Sequence, residues 1–198
     1  ILTFPLPARS LVKDEGIFAK DRLNYVLGQD GVTPIPVRLK SGGEVFLWTF
    51  GDTILGEWKG AVNATATLNF SDIADMRAMP PNSLALSAVP DDSNCKELKF
   101  EYFKSSGTVS EFIPYSPDEN PATVRLWADD GIALGDAVYV YYMRVELTGE
   151  KTFLPFKFTE TGLAKWDIGR GLDISKADFK RVPGFSIKDI AAGDGVIT

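Results

Sequence analysis

The sequence predicts an all-β chain built of antiparallel sheets, and three observations predict it. Runs rich in Val, Ile, Tyr, Phe and Trp alternate with short turn segments such as "SGG", "PDDSN", "KSSG" and "LTGE". Helical signals are few and short. A single plan also occurs twice, about 100 residues apart, in "DGVTPIPVRLKSGGEVFLWTF" from Asp30 and "DGIALGDAVYVYYMRV" from Asp130. Each copy reads Asp-Gly, short apolar strand, Gly-containing turn, long aromatic strand. Spaced strands of this kind suit a sandwich, a barrel or a propeller, and the repeated plan favours propeller blades over a sandwich.

In chain order, strands are expected at Ile35 to Leu39, Glu44 to Phe50, Leu84 to Val89, Leu98 to Phe103, Val109 to Tyr115, Ala137 to Leu147 and Phe153 to Phe158. The β-branched and aromatic content of each fits a pleated, half-buried surface. "KSSG" at 104 to 107 joins two such runs and reads as a hairpin. "SDIADMRAM" at 71 to 79 carries a Ser or Asp cap and reads as a short helix, and "SKADFKRV" reads as one helical turn.

Composition excludes several functions. The chain has 198 residues, 44% apolar and 24% charged, which suits one domain spanning 1–198 with a substantial core. Its formal charge of −6, with 21 basic residues among 27 acids, leaves no basic footprint for nucleic acid or an anionic membrane. No apolar run reaches membrane-span length, and the opening "ILTFPLPARS" lacks the basic region and apolar stretch of a signal peptide. The single Cys95 excludes an internal disulfide and a Cys-based zinc site. Without histidine, Ser-His-Asp and Cys-His catalysis and His-ligated metals are excluded within this chain. Acid–base chemistry would therefore fall to carboxylates, Tyr, Lys or Arg. No metal or cofactor is expected: the acid pairs at 91–92, 118–119 and 129–130 lack calcium-loop spacing, and Gly169 and Gly171 lack a dinucleotide fingerprint.

The carboxylates give the candidate site. Asp30 stands between Gly28 and Gly31 in "GQDG", where it either delivers a carboxylate to a channel mouth or caps its own turn. Asp52 follows "EVFLWTFG"; Phe46, Trp48 and Phe50 share one side of that strand, and Asp52 either continues it to a wet edge or lies past its end. In "WADDG", Asp130 occupies the place that Asp30 holds in the first copy, although Asp129 and Asp130 also suit an ordinary polar turn. Aromatic side chains beside acids can serve as flat platforms for a ligand with an apolar face and a polar rim. Trp48, Trp58 and Trp127 lie near the acids; Trp48 suits the core, and Trp58 in the Gly-flanked "LGEWKGA" suits a platform. Asn82 and Ser83 after "MPP" could contact substrate hydroxyls or end a turn, and Arg77 and Arg144 could hold substrate or be salt-bridged. Asn63 and Asn69 open glycosylation sequons that matter only in a eukaryotic secretory pathway.

The series "GQDGVTPIPVRLKSGGEVFLWTFGDTILG", "MPPNSLALS" and "WADDGIALGDAVYVYYMRVE" resembles the N-terminal part of the five-bladed β-propeller glycoside hydrolases, in particular the DUF4185-like group that includes endo-D-arabinanases. The likeness covers roughly residues 24 to 147. It implies an axial funnel in which two or three acids cleave or bind a glycan. Blades take about 40–50 residues, so this length makes three or four: either the rest of a five-bladed ring lies elsewhere in the native chain, or something else completes the ring, or the fold is not a closed propeller. The expectation is a glycosidase acting on an oligosaccharide or polysaccharide, arabinan-type among the candidates, outside the cytoplasm. The alternatives are a non-catalytic carbohydrate-binding propeller or sandwich, and an accessory module that binds another protein.

Overall fold

A computed structural model describes residues 25–59, 71, 73–90, 98–151, 155–169 and 171–191. Cys95, the sequon asparagines Asn63 and Asn69, and the acids at 91 and 92 lie outside the described residues. The fold is all-β and antiparallel. The strands are β1 (Val26–Gln29), β2 (Val32–Arg38), β3 (Glu44–Phe50), β4 (Thr53–Trp58), β5 (Ile73–Ala78), β6 (Ser83–Ala88), β7 (Glu101–Tyr102), β8 (Lys104–Ser105), β9 (Thr108–Val109), β10 (Val124–Leu134), β11 (Ala137–Leu147), β12 (Phe156–Asp167) and β13 (Lys180–Lys188). They form two four-stranded sheets, β2-β3-β6-β7 and β10-β11-β12-β13, a three-stranded sheet β1-β4-β5, and the hairpin β8-β9. The described strands form open sheets and close no ring among themselves.

Both copies of the repeated plan are hairpins. β2 and β3 pair from Val32↔Phe50 to Arg38↔Glu44 around a turn closed by Gly42 N donating to Leu39 O at 3.0 Å. β10 and β11 pair through Leu134↔Ala137, leaving Gly135 and Asp136 as the turn. The copies differ at their starts, since Asp30 precedes β2 whereas Asp130 lies inside β10 at a bulge between Ala128 and Gly131. Pro34 and Pro36 are tolerated in β2 because it is an edge strand, where the missing N–H groups interrupt no central ladder.

Alternation builds two cores around the first sheet. Ile35, Val37, Leu47 and Leu84 turn one way and meet Val124, Leu126, Ala128, Val138, Val140, Tyr142, Ala164 and Trp166 of the second sheet. Trp48, Phe50, Ala85 and Tyr102 turn the other way and meet Leu55 of β4 with Leu98, Phe100 and Val109. β10 thereby lies against β2 and β3 without hydrogen-bonding to them as a strand.

Several elements depart from expectation for local reasons. The expected helix at 71–79 is strand β5, because β4 offers it an open backbone: a Cβ on Gly56 would stand 1.9 Å from Asp75 O, so only glycine admits so close a pairing. Of the expected strand 109–115 only Val109 joins a ladder, since the N–H groups of Phe112 and Ile113 are claimed by the Asn82 side chain. "SKADFKRV" contributes to a 3-10 turn at Ile174–Lys176, capped by Asp173, and then becomes β13. "KSSG" is the expected hairpin, with Ser106 and Gly107 both at positive φ, 52° and 83°, the handedness that two-residue hairpin turns need.

Ion pairs tie β11, β12 and β13 of the second sheet to one another and to Glu119. Glu119 accepts from Arg144 at 2.8 Å and from Arg181 at 2.6 Å, while Glu160 accepts from Arg181, Ser186 and Lys188. Arg181 also donates to the Tyr142 hydroxyl at 2.6 Å, over a ring that packs on Gly162, where any Cβ would meet it.

Candidate functional site

Two glycine-bearing turns bring Asp30 and Asp52 together. Asp30 N donates to Asp52 O at 2.9 Å, and Gly51 N donates to Asp30 O at 2.7 Å. Gly31 takes the left-handed φ of 53° that lets the chain enter β2 directly. Asp30 is exposed, and its Oδ1 accepts from Gly31 N at 2.9 Å. It therefore caps its turn while facing water. Asp130 repeats this, accepting from Gly131 N at 2.7 Å. It lines a separate groove of about 640 Å³ between β2 and β10, with Thr33, Pro34, Pro36 and Leu134.

Asp52 has a different environment. It is half-buried, and its Oδ1 is buried without a hydrogen-bond partner. Burial pushes its pKa above the usual carboxylate range; the Trp127 indole N–H and the Arg125 guanidinium pull it part of the way back, and the Asp30 charge adds to the upward push. The Trp127 Nε1 is likewise buried with no acceptor in hydrogen-bonding geometry. The N–H is thus near enough to act on the carboxyl electrostatically but falls short of a closed hydrogen bond. Trp127 is braced from behind by Phe156, edge to face at 4.8 Å.

The wall of the site is β10, and cross-links hold it against the turns. Arg125 Nη1 donates to Met79 O at 3.1 Å, Asn82 Nδ2 donates to Leu126 O at 2.8 Å, and Thr49 Oγ1 donates to Asp129 O at 2.9 Å. Thr53 N reaches Pro80 O at 3.0 Å. Tyr115 completes the surroundings: burial first, then Glu111, with smaller effects from Glu119 and Asp52 against the pull of Arg125, push its hydroxyl up to about 12. Its hydroxyl donates to Val124 O at 3.1 Å.

Asn82 and Ser83 lie beneath the rim and are 0% exposed. Asn82 accepts from both Phe112 N and Ile113 N while donating to Leu126 O, and Ser83 Oγ pairs with Thr53 Oγ1 at 2.7 Å and accepts from Gln29 Nε2. Trp48 belongs to the second core, with its Nε1 bonded to Ser87 Oγ at 2.8 Å. Trp58 ends β4, about 17 Å along the strand from Thr53 at ~3.3 Å per residue. Arg77 is exposed on β5, paired with Glu57 and Asp75 and stacked over the Tyr25 ring. Arg144 belongs to the ion-pair cluster.

The structure therefore assembles Asp30, Asp52, Tyr115, Arg125 and Trp127. In the sequence Trp127 stands out only by its proximity to "ADDG", and Arg125 and Tyr115 carry no local signal. Among the described residues no group of three or more acidic, Cys or His side chains could hold a metal ion.

No protein-family model matches the sequence. No curated protein matches it either. Among solved structures, a "putative hydrolase" from Bacteroides ovatus is similar at a TM-score of 0.48 and 16% identity over 78% of this chain. The matched region spans 38% of that protein's chain.

Proposed function

We propose that this chain is part of a β-propeller glycoside hydrolase in which Asp52 is the general acid and Asp30 its ionised partner. The observation that carries this reading is the inequality of the two carboxylates. Asp52 is withdrawn from water with one oxygen unpaired and its pKa raised, whereas Asp30, bonded to it backbone to backbone, stays exposed. Two nearby carboxyls in unlike surroundings can divide the work, one donating a proton to the leaving oxygen and the other serving as base or nucleophile. Two four-stranded antiparallel sheets whose first strands, β2 and β10, lie side by side are what consecutive blades would present to an axis, and further blades would come from outside this chain. The Thr49 side chain bridges to Asp129 O at the end of β2 that Asp30 enters, which puts Asp130 at the same end as the pair. In this reading the substrate is an extracytoplasmic oligosaccharide or polysaccharide, Trp58 contacts a sugar unit distant from the cleaved bond, and Asn82 and Ser83 support the rim from below.

The test is hydrolysis of a panel of plant and bacterial-wall polysaccharides, arabinans included, by the wild type, Asp30→Asn and Asp52→Asn. The expected result is release of reducing ends by the wild type alone, with both variants folded and still binding. Undiminished activity in either variant would overturn the assignment, and binding without hydrolysis by the wild type would favour a carbohydrate-binding module.

A further inference from the structure

We propose that Arg125 forms a subsite for a carboxylate on the substrate, so that the glycan taken beside Asp52 is an acidic one, of the uronic acid class. The inference rests on the preceding reading of the cleft as a glycan site and adds the charge of its ligand.

The observation is a missing counter-ion. Of the described arginines, Arg38 lies 4.0 Å from Glu44, Arg77 has two carboxylates, and the part-buried Arg144 and Arg181 also have two each. Arg125 is part-buried as well, yet its hydrogen bond is to a backbone carbonyl, Met79 O, and no ion pair forms to it among the described residues. This occurs in a chain with more acids than bases. A guanidinium drawn partly out of water that closes no ion pair keeps donors for an anion that arrives later.

The neighbours do not supply that anion. Asp52 interacts with Arg125 through space but closes no ion pair with it, and in the acid role set out above it is protonated when substrate binds. Tyr115, pushed up to about 12, stays neutral at physiological pH. One guanidinium nitrogen is spent on Met79 O, and the fork leaves further N–H donors, which match a carboxylate's two oxygens. The placement also fits. Arg125 and Trp127 are two apart on β10 and share a face, so they stand about 7 Å apart along the strand at ~3.4 Å per residue, roughly the length of one sugar ring. A carboxylate held by Arg125 would place the linkage to the next unit near the Asp52 carboxyl.

The experiment titrates the full chain with tri-glucuronate and with its carboxyl-reduced, neutral counterpart, using wild type, Arg125→Gln and Arg125→Lys, the last keeping a donor for Met79 O. The wild type should bind the acidic ligand at least about tenfold more tightly, the scale of a hydrogen-bonded charge pair. Arg125→Gln should abolish that preference, and Arg125→Lys should keep part of it. Equal affinity for the two ligands, or an unchanged preference in folded Arg125→Gln, overturns the proposal. Hydrolysis separates the two readings. Cleavage of neutral glycans with no acidic preference removes this subsite and leaves the glycosidase standing, whereas acidic preference with no cleavage of any glycan leaves the subsite and removes the glycosidase.

Discussion

A carboxyl group that loses water ionises less readily unless a donor compensates, and at Asp52 compensation is incomplete. The Trp127 N–H acts on the carboxyl without closing a hydrogen bond, so it moderates the raised pKa rather than abolishing it. Trp127→Phe keeps an aromatic ring against Phe156 and removes the N–H. Because that N–H favours the ionised form, its loss should raise the Asp52 pKa further and move the alkaline limb of the kcat/KM profile to higher pH. A pH–rate profile of the variant checks this; a ring that matters only for packing would lower activity at every pH and leave the limb in place. At this scale the sequence shows which acids are candidates, because Asp-Gly and Gly-Asp turns are local and readable. It cannot show which acid is dry. That depends on Trp127 and Arg125, which reach Asp52 only through the docking of β10.

Among the elements, the segment between β9 and β10 carries the plainest lesson. Its residues have strand-like composition, but a segment forms a strand only if a neighbour accepts its ladder, and here the buried Asn82 side chain takes the N–H groups of Phe112 and Ile113. The same amide binds Leu126 O, so one residue fastens an irregular segment and β10 to the turn before β6. Asn82→Ala would orphan two buried donors and one acceptor at about 1–3 kcal/mol each before relaxation. The expected loss is about 3 kcal/mol or more, read from urea unfolding with an unchanged m-value; a loss under ~1 kcal/mol would show that water replaces the amide readily. From the sequence, β3 and β11 are legible to the residue because their aromatic runs are long and bounded by glycine turns. β5 is not, because what makes it a strand is Gly56 on another strand. β13 is not, because its "KRVPGFSIK" has a weak pattern and is paired by the free edge of β12. Asn-Ser before a strand likewise reads as a turn ending, and the long reach of Asn82 has no local signal.

At the scale of the whole molecule, two groups of acids respond to pH with opposite sign. Burial would raise the pKa of Glu119, but the Ser116 N–H, Arg144 and Arg181 outweigh it and hold the carboxyl below 4.5. Glu160 is held down in the same way against burial by Lys188, Ser186 and Arg181. A carboxyl with a depressed folded pKa contributes stability above its unfolded value, and that contribution is lost as pH falls through the folded pKa. Asp52 is the reverse: its raised pKa favours the folded state at acid pH and costs stability as pH rises past it. Acidification below about 4 should therefore loosen the second sheet first, and Glu119→Gln should be less stable than wild type at pH 7 while showing a smaller further drop on acidification. Asp52→Asn should be more stable at neutral pH, the gain fading toward pH 4. Calorimetry from pH 3 to 8 checks both signs, and parallel curves for all three proteins would contradict them. One consequence of the β10 wall concerns time. The bonds that seal it to the turns join residues 44, 46 and 80 positions apart, the kind of contact whose closure entropy delays it in folding. Until β10 arrives, Asp52 is a solvated carboxylate with an ordinary affinity for protons and Arg125 a hydrated cation. In the proposed reading the acid pair is complete only once these long-range contacts have closed, so a molecule lacking them would release no reducing ends.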